Sequence, residues 1–133
     1  MSTLTNLQVG DFLEDIVLSP VSRIDLIKYA GASGDYNPIH TIDDEAKKAG
    51  LPGIIAHGMW TMGNLAKVFT PYYEDGFLQD YSIRFKGMVF LSDIITLKAE
   101  LAEKNDKQLK FKVAALNQNG KEVLQGNAVF TTY

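Results

Sequence analysis

Asp35 and His40 stand five residues apart in the stretch SGDYNPIH, which spans positions 33–40 and holds one of the chain's two histidines. A carboxylate and an imidazole held at fixed separation can share the protons of one water between them, the task of general acid–base catalysis. The same residues have plainer uses. Aspartate after glycine favours a turn, and a single histidine often serves as a hydrogen-bonding strut. Three features favour the chemical reading. Pro38 fixes its own φ and biases Asn37 toward extended backbone, so the loop is stiff. Ser33 and Asn37 supply polar groups that can orient neighbours, and helix-like segments anchor both ends.

The second histidine, His57, lies in IIAHGM among apolar residues. Its simplest role is to tie a loop together through a ring N–H. The glycine after it is of more chemical interest. Gly58 opens a helix, where amide groups lack intrahelical acceptors and the dipole is positive. Without a side chain it lets a ligand oxygen approach, which makes its amide a candidate oxyanion-hole donor.

Other chemistries find no support. GASGD is not G-x-S-x-G and sits at a helix end, against a serine hydrolase. Asp43, Asp44 and Glu45 follow His40 as ordinary acids of a helix start, and no spacing points to a metal. There is no phosphate-binding glycine loop and no sign of a cofactor. The absence of cysteine excludes thiolate catalysis and fits a reducing compartment. A formal charge of −3 with lysines scattered among acids argues against nucleic-acid binding. The opening MSTLTNLQVGDF lacks the parts of a signal peptide, and no apolar run is long enough to span a bilayer. The expectation is one soluble, cytoplasmic domain over residues 1–133.

These residues must be held by a frame. FLEDIVLS (12–19) reads as a strand ended by Pro20. Ser22 and Asp25 form a capping-box start to RIDLIKYAGA, with Ile24, Ile27 and Ala30 as the inward face and Gly31 and Gly34 as its end. DDEAKKAG (43–50) reads as a short helix with acids first, lysines last and Gly50 as C-cap. GMWTMGNLAKVF (58–69) has Met59, Met62, Leu65, Ala66 and Phe69 at helical spacing. It predicts a helix buried on most of its circumference and stopped by Pro71. The Met/Trp stripe would be core and line an acyl-sized pocket. Four strands follow, near 77–90, 92–103, 108–117 and 121–132. In KQLKFKVAAL, Leu109, Phe111 and Val113 face one way and the lysines the other. The simplest assembly is an α+β fold, an antiparallel sheet wrapped around one apolar helix.

The run YAGASGDYNPIHTIDDEA resembles the signature of the MaoC-like, or hydratase 2, family: an aromatic, small residues, G-D-x-N-P-aliphatic-His, and a later small residue, here Ala46. IAHGMWTMG and YSIRFKGMV extend the likeness over most of the chain, which looks especially like the catalytic subunit of mycobacterial-type hydroxyacyl-ACP dehydratases. The family's proline and glycine after this strand are replaced by Met88 and Ser92 in MVFLSD. The resemblance implies a hot-dog fold and an (R)-specific hydro-lyase. Such an enzyme interconverts (3R)-3-hydroxyacyl and trans-2-enoyl thioesters of CoA or acyl carrier protein, in fatty-acid or polyketide-type metabolism. It implies Asp35 and His40 as the catalytic pair. It further implies Asn37 as an orienting or substrate-binding residue and the Gly58 amide as the carbonyl's receptor. It also implies a dimer, with an identical chain or with another hot-dog subunit. A thioesterase on the same fold and a non-catalytic partner subunit are the alternatives.

Overall fold

The computed structural model describes residues 4–133; the first three residues of the opening segment lie outside this range. The elements run β1 (Ile16–Val17), α1 (Arg23–Ser33), α2 (Asp43–Lys48), α3 (Gly58–Leu65), β2 (Gly76–Phe85), β3 (Thr96–Lys104), β4 (Gln108–Leu116) and β5 (Glu122–Thr132). The strands form one antiparallel sheet in the order β1-β3-β4-β5-β2. The four long strands lie where the alternation predicts, except that β2 stops at Phe85 instead of near 90 and β3 starts at Thr96 instead of near 92. Leu109, Phe111 and Val113 are buried, while Lys110 and Lys112 point outward.

The inner face of the sheet curls over α3 and the 3₁₀ turn that continues it, Ala66–Tyr72. Leu65, Val68 and Phe69 enter the core against Leu97, Leu101, Phe111 and Phe130. The Phe69 and Phe111 rings meet edge-on at 5.2 Å. Each such fully buried side chain contributes about 1.5–3 kcal/mol through lost apolar exposure. Strand-wrapped helix and α+β class are the expected hot-dog arrangement.

Several local expectations need correction. The segment 12–19 follows β3, but pairs regularly only at Ile16 and Val17, with an isolated bridge from Phe12 to Glu100. Helix α1 has the expected capping box at Ser22 and Asp25, yet its inward line is Leu26 and Ala30. Ile24 and Ile27 are about half exposed, because a helix apolar on several sides leaves periodicity ambiguous about which side meets the sheet. Gly31 lies inside α1, and Gly34 caps it in the left-handed region at φ 77°. Helix α2 ends at Ala49, with Gly50 one residue beyond at φ 86°. Helix α3 buries only Thr61 and Leu65 fully, and Met59 is 56 % exposed. Pro71 does not stop the segment; the 3₁₀ turn tolerates it and runs on to Tyr72.

Candidate active site

The loop from Ser33 to His40 is built by short polar side chains that each catch a nearby amide. The Asp35 N–H donates to Ser33 Oγ at 3.1 Å, the Asn37 N–H to Asp35 Oδ1 at 3.2 Å, and the Ile39 N–H to Asn37 Oδ1 at 3.2 Å. These are side-chain-mediated turns of the kind Ser, Asp and Asn favour. Pro38 then opens a 3₁₀ turn, Pro38–His40, with the His40 N–H on the Asn37 carbonyl. Arg23, at the start of α1, donates to the Thr41 carbonyl and to Asp43 Oδ2, closing the loop's far end onto the start of α2. Asn37 therefore orients the loop through its side-chain oxygen, which the Ile39 amide occupies.

This loop aims His40 inward and leaves the Asp35 side chain 51 % exposed. His40 Nδ1 lies 2.7 Å from the Ile55 carbonyl. A carbonyl only accepts, so Nδ1 carries a hydrogen, and whenever the ring is neutral Nε2 is the bare nitrogen. That nitrogen stands 3.8 Å from Asp35 Oδ2. The gap exceeds a direct hydrogen bond but suits a single water or hydroxyl touching both.

Of the two residues singled out in IIAHGM, His57 meets this pair directly. His57, 2 % exposed, stacks on His40 with ring centroids 3.8 Å apart, and its Nε2 lies 3.1 Å from the Asp35 carbonyl. Its ring N–H does tie a loop, and the loop it ties is the one bearing Asp35. Burial holds the His57 imidazole below its ordinary value of 6.5, opposed by the hydrogen bond to the Asp35 carbonyl; the neighbouring His40 lowers it further.

Gly58 begins α3 with His57 as N-cap. The first backbone donors with acceptors are Trp60 and Thr61, both onto the His57 carbonyl, so no described group accepts from the Gly58 amide. A side chain at Gly58 would place its Cβ 2.8 Å from Phe85 Cε1, so this position has no room for one while Phe85 stays put. Phe85 ends strand β2 and is 53 % exposed.

Asp35, His40 and His57 also form one group of potential metal ligands, their donor atoms within 4.8 Å of one another. Two ring nitrogens of that group are committed to backbone carbonyls. Spacing along the chain had no means of joining His57 to the loop, since the two lie on separate segments brought together by the fold. The Ile55 carbonyl that sets the His40 tautomer and the Phe85 ring over Gly58 carry no sequence signal. A carbonyl is common to every residue, and Phe85 reads as any strand aromatic.

Comparison with known proteins bears on the family and the fold. A family model described as "MaoC like domain" matches residues 8–123. The 3-hydroxybutyryl-CoA dehydratase of Methylorubrum extorquens is 31 % identical over 127 residues, covering 93 % of this chain and 80 % of that protein. The fatty acid synthase subunit beta of Aspergillus oryzae is 36 % identical over 109 residues, 79 % of this chain; the chain spans only 5 % of its length. Among solved structures, the unliganded R-hydratase PhaJ1 of Pseudomonas aeruginosa superposes with a TM-score of 0.88 at 27 % identity, covering 96 % of this chain and 83 % of that one. With a signature loop in SGDYNPIH, a hot-dog frame and a family match over nearly all its length, the chain belongs to the MaoC-like domain family.

Proposed function

We propose that this protein is a reversible (R)-specific hydro-lyase that interconverts (3R)-3-hydroxyacyl and trans-2-enoyl thioesters of CoA or acyl carrier protein. The observation that carries the reading is the bare His40 Nε2 and the Asp35 carboxylate, 3.8 Å apart on a rigid loop. In dehydration one of the pair takes the C2 proton and the other delivers a proton to the departing C3 hydroxyl. In hydration the same two groups orient and split one water. The thioester oxygen gains enolate-like charge as the C2 proton leaves. The uncommitted Gly58 amide, at the positive end of α3, is suited to receive it. Donors of this kind lower the barrier by about 3–4 kcal/mol in other enzymes.

The reading extends to a partner. Strand β2 is a ten-residue sheet edge, Gly76–Phe85, ending in the exposed Phe85 that covers Gly58. Long edges with apolar side chains favour strand pairing. A second hot-dog protomer, identical or not, pairing along β2 would lie beside the site. No described helix is long and apolar enough to cross a membrane, and we place the enzyme in the cytoplasm as one MaoC-like domain acting in fatty-acid or polyketide-type metabolism.

The test is a substrate panel: crotonyl and longer enoyl thioesters, and (R)- and (S)-3-hydroxyacyl thioesters, each on CoA and on acyl carrier protein. Enoyl absorbance and free thiol are followed side by side. Loss of enoyl absorbance with formation of the (R) product and no thiol is expected. Thiol release without enoyl turnover would instead establish the thioesterase, and no turnover of either kind would overturn the hydro-lyase.

A further inference from the structure

We propose that His57 is a positioning residue for the Asp35/His40 pair, holding Asp35 through its backbone and His40 through its ring face. The inference rests on the reading of Asp35 and His40 as the acid–base pair, and it assigns the spacing of that pair to a third side chain outside the signature loop.

The argument begins with proton counting. His57 Nε2 faces the Asp35 carbonyl at 3.1 Å, so Nε2 carries the hydrogen. Its Nδ1 is buried and has no hydrogen-bond partner among the described residues. A proton there would be a buried donor with no acceptor, so the ring stays neutral with its one hydrogen spent on Asp35. The groups packed on it are Tyr29, edge-on at 4.9 Å, the His40 ring, stacked at 3.8 Å and 23°, and Asp35 itself.

The two histidines are laced reciprocally. His40, on the 33–40 loop, donates from Nδ1 to the carbonyl of Ile55; His57, two residues beyond Ile55, donates from Nε2 to the carbonyl of Asp35. The Ile55 N–H adds a third link to the Ile39 carbonyl at 3.2 Å. Asp35 has an exposed side chain, and its own loop holds it only through residues two positions away on either side. The His57 bond is its tie to the frame, and without it only the loop's own bonds relate the Asp35 carboxylate to His40 Nε2. The stack meanwhile holds the plane of the His40 ring, and the Ile55 carbonyl sets which nitrogen faces Asp35. His57 exchanges no proton in this account, because its bare nitrogen is buried and its protonated one is bonded to a carbonyl.

Three substitutions separate positioning from packing. His57→Phe keeps a ring under His40 and removes the donor. His57→Gln keeps an N–H near the Nε2 position and removes the ring. His57→Asn is as polar as glutamine but too short to reach Asp35. With the enzyme competent in the wild type, kcat per folded site should fall about tenfold or more in Phe and Asn, with KM nearly unchanged, on the scale that sub-ångström misplacement costs. Glutamine, which restores the donor but not the stack, should recover part of it and exceed asparagine severalfold. Folded fraction is read from thermal melts at each assay temperature. Where phenylalanine does not fold, the Gln/Asn pair decides alone. Equal kcat in Gln and Asn, or a wild-type kcat in Phe, overturns the positioning role. Asp35→Asn is run alongside. If it too is near wild type, the acid–base reading fails; if it is inactive while His57→Phe is not, only the present inference fails.

Discussion

Replacing Asp35 by asparagine separates chemistry from stability with little ambiguity. Asparagine keeps the side-chain oxygen that accepts from the Asn37 N–H, so the loop's internal bond at 3.2 Å survives. What is lost is the charge and one proton-accepting oxygen, 3.8 Å from His40 Nε2. The Asp35 carboxylate is half exposed, so solvent screens most of the Coulombic energy it has to lose. The fold should therefore change in stability by no more than about 0.5 kcal/mol, as for surface substitutions generally. The chemical step should fare differently. General acid–base groups contribute about 10²–10⁴-fold, so kcat should drop at least a hundredfold, equivalent to about 2.7 kcal/mol of barrier. The assay is initial-rate hydration of an enoyl thioester, paired with urea unfolding of the same preparation. His40→Ala should lose as much activity but also about 1–3 kcal/mol of stability, since it strips the Ile55 carbonyl of its donor. An Asp35→Asn enzyme with near-normal kcat would refute the assignment, and one that loses activity only in step with its folded fraction would refute the reasoning about magnitude.

Further outcomes follow from other parts of the site and frame. Gly58→Ala puts a methyl 2.8 Å from the Phe85 ring, which is half exposed and can swing away, so stability should fall by only about 1 kcal/mol. The activity should fall about a hundredfold, and pairing it with Phe85→Ala should not restore it if the carbonyl needs the space at Gly58. Acid should weaken the fold through His57. Its folded-state proton affinity is depressed by burial, so its contribution is complete above about pH 6.5 and is lost as pH falls below that, when the unfolded chain binds the proton first. Urea midpoints of His57→Gln should decline less between pH 7 and pH 5 than those of the wild type; an identical decline would contradict this. Ser92 stands at φ 68°, a left-handed conformation that costs a side chain about 1–2 kcal/mol. Ser92→Gly should raise the melting midpoint modestly, by the equivalent of about 0.5–1 kcal/mol, because glycine's greater unfolded-state freedom offsets part of the relief.

Much of this was legible in local sequence, and the failures have a common cause. The capping box at Ser22 and Asp25, the stiff SGDYNPIH loop and the alternation in β4 depend on residues within a few positions of one another. Chain chemistry alone dictates such contacts. Ser92 belongs here too, as the resemblance marks that position for glycine and the backbone there is left-handed. The inward faces of α1 and α3 were misjudged because both helices are apolar on more than one side. Which side is buried depends on where the sheet lies, a fact absent from either helix.

Residue type and near spacing alone supply the carboxylate, the imidazole, the glycine and the rigid turn that joins the first two. The folded path of the chain sets which His40 nitrogen faces a carbonyl and where His57 lies. Both depend on carbonyls delivered from another segment: Ile55 to His40 and Asp35 to His57. Every residue carries such a carbonyl, so only the folded path of the chain selects which of them meets an imidazole.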